Sequence, residues 1–224
     1  MGTSWILLLS LLPVAAILYY VYHKDHDPEP PRTIGFAFLW GCLSVIPAIT
    51  AELLFPSSNQ FVELFVNIGL VEESVKFAVL MLYIWKHADF NDSFDAIVYS
   101  VTISLGFAAV ENIMYNINGG FAVSIIRALF SIPGHTCFAI LMGVFLAKAK
   151  THFYYGRRQE QYTSLMLALL TATIAHGTYD YLAIMTSSNE DFVIWLLAFV
   201  IILDIACLII VHNASKNDKP MVQQ

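Results

Sequence analysis

The sequence predicts an all-α fold: a polytopic membrane protein with seven transmembrane helices in one bundle. Three observations lead there. Of 224 residues, 58% are hydrophobic and only 12% are charged, against roughly 25% charged in soluble domains. The mean hydropathy is +0.68. The apolar residues are gathered into seven runs, each long enough or nearly so to cross a hydrocarbon core of about 30 Å. That leaves no room for a separate soluble module, so residues 1–224 are expected to form one domain whose chemistry lies within the bilayer or at its edge, with the lipid as a partner and no nucleic acid.

The runs are 5–22, 33–55, 61–85, 95–117, 121–147, 163–185 and 191–212. The first lacks the basic flank and small-residue cleavage site of a secretory signal and is expected to stay as a helix. HKDHDPEPPR comes next, polar and proline-rich, and stops the helix. The NGG link near Asn118 and the SSNED link near Asn189 are turn chemistry. Cys42, Cys137 and Cys207 each sit in an apolar run with no CxxC pair, which predicts buried thiols.

Basic residues orient the bundle. Lys24, Arg32, Lys86, Lys148, Lys150, Arg157, Arg158, Lys216 and Lys219 all fall at alternate helix ends. By the positive-inside rule the N-terminus faces out, the C-terminus faces in, and 213–224 form a short cytoplasmic tail. The net charge of −6 has no say, because the rule counts loop Lys and Arg. Asn91 and Asn213 head N-x-S triplets that this topology leaves cytoplasmic, away from any glycosylating compartment.

Against this background Glu72, Glu73, Glu111, His135, His176 and Asp180 stand out, since ionisable groups in hydrocarbon cost several kcal/mol unless they face a polar interior. Counting about 1.5 Å of rise per residue from the cytoplasmic ends puts Glu72 and Glu73 at roughly 20 Å, Glu111 at about 24 Å, His135 at about 18 Å, His176 at about 21 Å and Asp180 at about 27 Å. Four helices thus deliver carboxylates and imidazoles to one layer. Lys76 stands at i,i+4 from Glu72 and i,i+3 from Glu73 and would neutralise one carboxylate, leaving the other free. Gly106, Ala108 and Ala109 allow the close packing that would bury Glu111. His176 and Asp180 share a helical face at i,i+4. Arg127 is expected to snorkel to the interface, and Asp204 to serve in packing or as a counter-charge. Two imidazoles with several carboxylates suit a divalent ion such as zinc, beside which a further carboxylate would act as general base.

Other chemistries fit less well. HExxH and GxSxG are absent. Tyr179-Asp180 resembles half of an aspartyl dyad, but Asp204 comes out at roughly 12 Å depth against about 27 Å for Asp180. A proton- or ion-coupled transporter is the alternative, since its relays also use intramembrane Glu, Asp and His, although no inverted repeat is visible. A non-catalytic sensor would leave the cluster without purpose.

DPEP at Asp27–Pro30, EExxK at Glu72, Glu73 and Lys76, FxxxE from Phe107 to Glu111 within FDAIVYSVTISLGFAAVEN, PGH ending at His135 and HGTYD from His176 to Asp180 occur in one order along the chain. In these pieces the chain resembles the PrsW family of bacterial intramembrane proteases, related to the CAAX prenyl endopeptidase and bacteriocin-processing group. The resemblance implies a membrane-embedded metallopeptidase of the bacterial cell (inner) membrane, with its motif-bearing core at about 27–183. Such enzymes cut membrane proteins, and the best-known family role is the first, outward-side cut of an anti-sigma factor, a single-pass substrate. By the same resemblance Glu72 and Glu73, assisted by Lys76, are the catalytic doublet. Glu111, His135, His176 and Asp180 complete the motifs as ligands of a divalent metal, with zinc expected. In the related prenyl endopeptidases the same pattern can be read as a glutamate-activated water without a metal.

Overall fold

Why seven runs become one bundle is visible in a computed structural model, which describes residues 3–221. α1 is Thr3–Tyr22 and α2 is Pro31–Leu54, the latter starting at a proline whose fixed φ suits a first helical position. α3 spans 60–84 and alternates in type: a turn of α-helix at Gln60–Val62, π-helix at Glu63–Leu70, α-helix at Val71–Val79 and π-helix at Leu80–Ile84. The helix Asp95–Ile126 breaks at Gly120, where φ 75° and ψ −168° require glycine. Its limbs are therefore α4, residues 95–119, and α5, residues 121–154, which passes through a π turn at Arg127–Ser131 into the helix Ile132–Tyr154. α6 is Arg158–Met185 and α7 is Asp191–Lys216. The helices overrun the apolar runs at 154, 158 and 216 because hydropathy marks the thickness of the hydrocarbon, while polar helical residues continue past it.

Trp5–Tyr22, Pro31–Leu54, Asp95–Tyr154 and Asp191–Lys216 are the stretches long and apolar enough to cross a membrane, the third of them comprising both α4 and α5. In α3 and α6 the apolar pattern is interrupted by the charged residues of the site. α4 is the axis of the bundle: residues 94–109 are buried on every face. α7, by contrast, buries only Val200, Cys207, Val211 and Ser215, and its Ile and Leu side chains face outward.

Glycines set how closely the axis is approached. A Cβ on Gly106 would lie 2.2 Å from the Phe38 carbonyl oxygen, and one on Gly41 would lie 2.1 Å from that of Ile103, so α2 and α4 cross backbone to backbone. Gly143 brings α5 against α4 in the same way, at 2.8 Å from the Ile97 Cα. Such contacts bring dispersion and weak polar contacts to a membrane bundle that cannot rely on hydrophobic burial between helices.

At the end holding the 23–30 loop, two contacts appear that the hydropathy pattern does not show. Lys150 lies inside α5, buried, and its Nζ donates to the Trp85 carbonyl, capping the end of α3. Within the expected tail, the segment 217–221 packs against the 85–94 loop: Asp218 Oδ1 accepts from Phe94 N at 2.8 Å and Ser93 Oγ at 3.0 Å, and Met221 N donates to Asn91 O at 2.9 Å. The last residues of the expected tail, 222–224, lie outside the described residues. Cys137 and Cys207 are buried free thiols and Cys42 is half-buried.

Candidate active site

The site is assembled where α3 meets α6. A Cβ on Gly177 would strike the Phe65 ring at 2.5 Å, and one on Gly69 would sit 3.3 Å from the Gly177 nitrogen, so the two helices touch with little side chain between them. One turn further along α3, Glu73 Oε1 reaches His176 Nδ1 on α6 at 2.9 Å. A π-helix ends at Leu70, just before the Glu72-Glu73 doublet, and a π turn ends at Ser131, one helical turn before His135. The extra residue in each π turn rotates the helix beyond it and re-aims these side chains, a common device at functional sites.

Lys76 sits at the centre. Its Nζ donates to Glu73 Oε1 at 2.8 Å and Glu72 Oε2 at 3.2 Å, and lies 3.3 Å from His135 Nδ1 and 4.1 Å from the centre of the Phe107 ring. Glu72, Glu73, Lys76, His135 and His176 are all buried. Taking these charges out of water is offset only by close pairing, and the ammonium with two carboxylates and an aromatic face provides it. His135 Nε2 is 2.9 Å from Glu111 Oε2, and His176 Nε2 is 3.4 Å from Asp180 Oδ2. Phe138 stacks on the His176 ring at 4.8 Å and 18°. Ser104 Oγ donates to the His135 carbonyl at 2.9 Å, pinning α5 to α4 at that level.

All seven residues singled out in the sequence therefore converge, but not in the grouping expected. The donor atoms that approach within 4.8 Å of one another belong to Glu72, Glu73, His135 and His176. Glu111 and Asp180, expected as ligands, stand outside that group, each against one imidazole, the place of a carboxylate that fixes a ligating histidine's tautomer and orientation. Arg127 does not snorkel. Its side chain is 18% exposed, with Nη2 on Glu111 Oε2 at 2.8 Å and Nε on Asn112 Oδ1 at 2.9 Å. Asp204 accepts a hydrogen bond from the Cys137 thiol at 3.2 Å. Sequence reasoning misses the contribution of Arg127 because a position near a helix end matches snorkelling equally well. The signal is a positive charge two turns before His135 on the same helix, far from the Lys148 and Lys150 pair at its other end.

A cavity of about 610 Å³ runs from Glu72, His135 and His176 past Glu111 and Arg127 toward Glu52, Asn118 and Ile184, near the ends of α2, α4 and α6. Glu72 lines it, whereas Glu73 and Lys76 lie behind its wall. The donor set suits a divalent ion: two imidazole nitrogens and two carboxylates match the N and O ligation of zinc. Glu73 Oε2, enclosed and without a hydrogen-bond partner among the described residues, is the kind of orphaned acceptor an ion would satisfy.

Carboxylates and imidazoles gathered at one end of a cavity with largely apolar walls, inside a bundle of long apolar helices, are the kind of groups that an intramembrane hydrolase needs. The chain matches the family described as "PrsW family intramembrane metalloprotease" over residues 29–206. It is 37% identical over 218 residues to Protease PrsW of Oceanobacillus iheyensis, covering 95% of this chain and 97% of that one. Over 199 residues it is 31% identical to Protease PrsW of Bacillus subtilis, and over 208 residues 33% identical to that of Clostridioides difficile, with 87% and 88% of this chain and 88% and 85% of the relatives covered. No solved structure matches. The chain belongs to the PrsW family of intramembrane metalloproteases: it is a peptide hydrolase, a multi-pass protein of the bacterial cell (inner) membrane, acting on membrane-protein substrates within the bilayer. The transporter alternative is not favoured by this membership.

Proposed function

We propose that the enzyme cuts a single-pass membrane protein of the anti-sigma class on its outward side, using a water activated between His135, His176 and the Glu72-Glu73 doublet. The observation that carries the reading is the meeting of those four side chains, three of which, Glu72, His135 and His176, line the cavity. Glu72, which faces the cavity, is the general base. Glu73, behind it, holds Lys76 and His176 in place. His135 and His176, with a carboxylate of the doublet, are the residues that would hold zinc, and a bound zinc ion would supply an acidified water and a Lewis acid. Glu111 and Asp180 orient the two imidazoles, and Lys76 holds the two carboxylates of the doublet together by donating to both.

Seven spans with the N-terminus out and the C-terminus in are part of the same reading, because the cavity then extends toward the outer leaflet, where a substrate helix unwinds most readily. The domain is a single one, with its motif-bearing core at about 27–183.

Cleavage of a fluorogenic membrane-spanning peptide by enzyme in lipid vesicles tests the reading. Glu72→Gln should abolish turnover. Exhaustive chelation should do the same, with zinc restoring it and metal analysis of the untreated protein finding one ion per chain. Full activity in the metal-free protein would leave a glutamate-activated water in its place, and unchanged cleavage by a His135→Ala, His176→Ala variant would remove the site.

A further inference from the structure

Hydrolysis of an amide passes through a tetrahedral intermediate. The water oxygen bonds to the carbonyl carbon, the π pair of the C=O moves onto oxygen, and the base takes the water proton for delivery to the departing amine. The oxyanion formed needs a donor that already faces it. Two side chains near the site carry a permanent positive charge, and they differ in where they point. Lys76 is enclosed by Glu72, Glu73, His135 and Phe107 and does not line the cavity. Arg127 is the Lys or Arg side chain that does line it.

Its guanidinium is held rigidly. Nη2 and Nε are tied to Glu111 and Asn112, and the Cζ lies 4.0 Å from the centre of the Tyr115 ring. Asn112 is itself fixed, its Nδ2 donating to the Ala108 carbonyl at 2.7 Å. Of the five N–H groups of an arginine, the remainder have no acceptor among the described residues. Glu111 Oε2 accepts from Arg127 at 2.8 Å and lies 2.9 Å from His135 Nε2, so the guanidinium and the imidazole meet at one carboxylate oxygen on the cavity wall. Arg127 also opens the π turn Arg127–Ser131 that leads to His135, which sets both side chains from one local distortion.

We propose that Arg127 is a catalytic residue whose unengaged N–H groups bind the scissile carbonyl oxygen and stabilise the oxyanion. Glu111 and Asn112 position it. The proposal rests on the peptidase reading of the same cavity, and it adds a charged donor to a site whose motifs contain none facing the substrate.

The test uses the full chain in vesicles with the same fluorogenic peptide. Arg127→Gln should lower kcat by roughly 10²- to 10³-fold, the loss typical of one oxyanion donor, with KM little changed. It should weaken binding of a phosphinate analogue of the cleaved bond, which carries the tetrahedral oxyanion, by a similar factor. Binding of the uncleaved peptide to the Glu72→Gln enzyme should be the same with and without the Arg127 change. Because Gln leaves Glu111 without its counter-charge and could unfold the site, Arg127→Lys is the second variant. It keeps the charge but not the fork, and should remain at least tenfold impaired while folded. Wild-type kcat in Arg127→Lys, or loss of kcat with phosphinate affinity intact, would assign Arg127 to neutralising Glu111 and overturn the proposal. Failure of the peptidase reading looks different, since there Glu72→Gln would cleave as well as wild type.

Discussion

Adjacent carboxylates in one helix point about 100° apart, and in this enzyme that angle divides their work. Glu72 borders the cavity while Glu73 is wholly enclosed against Lys76 and His176. Glu72→Gln should therefore remove turnover with the fold intact. Glu73→Gln should lower both activity and unfolding midpoint, because it loosens two partners at once. Equal midpoints for the two variants would refute the division. Lys76 makes the sharper case. Replacing it by Met takes the ammonium from both buried carboxylates and leaves Glu73 with His176 alone, and breaking a buried ion pair from one side costs about 3 to 5 kcal/mol. Denaturant unfolding in detergent should show a loss of that size, partly recovered in Lys76→Met, Glu73→Gln, where one of the stranded charges is gone. A double variant no better than the single one would mean that Lys76 acts through its packed methylenes instead.

Helix contacts explain which features could be read in advance. The chain exposes the period and extent of its apolar runs directly, so their positions, the turn at Gly120 and the pairing of Lys76 with one carboxylate of the doublet are legible, while the structure has Lys76 reach both. The π segments of α3 and α5 are not, because an i→i+5 turn has no compositional mark, and with them goes the direction in which Arg127 points. Nor does composition tell an open glycine from a crowded one, yet the structure separates them sharply. Gly106 would drive a Cβ into the backbone of α2, whereas a Cβ on Gly35, also in a helix, meets nothing within 4 Å. Gly106→Val should force α2 and α4 apart, cost about 1 to 3 kcal/mol or more as overpacking usually does, and displace Glu111 with loss of activity. Gly35→Ala should be neutral or stabilise by up to about 1 kcal/mol through helix propensity. Thermal unfolding of the two purified variants decides the matter, and similar midpoints would show that the crossing yields more easily than its backbone contact implies.

Beyond the active site, the molecule holds a second set of ionisable groups where the 23–30 loop, the 85–94 loop and the segment 217–221 meet. Asp25 and Glu29 are 6% and 3% exposed, and Asp25 Oδ2 and Glu29 Oε1 have no hydrogen-bond partner among the described residues. Glu29 Oε2 accepts from Tyr99 OH at 2.7 Å, which ties the loop to α4. Burial pushes the Asp25 carboxyl up to about 6, with the Asp27 N–H opposing and Asp218, Asp92 and Asp27 adding repulsion. Burial likewise pushes Glu29 up to about 9, opposed by the Tyr99 hydroxyl and reinforced by Asp95 and Asp89. Both acids hold their protons in the folded protein at pH values where the unfolded chain has released them, so folding takes up protons. Stability contributed by Asp25 is lost as pH rises from its ordinary 3.8 to about 6, and that from Glu29 as pH rises from 4.5 to about 9. The melting temperature in detergent should thus fall across this range. Glu29→Gln, a neutral side chain that still accepts from Tyr99, should flatten the upper part of the fall and melt above wild type near the top of the window. The two proteins should converge at low pH, where Glu29 is protonated in both folded and unfolded chains. Parallel curves, or a Gln variant that melts lower than wild type at alkaline pH, would mean that Glu29 is held ionised and that its negative charge is what binds the three segments.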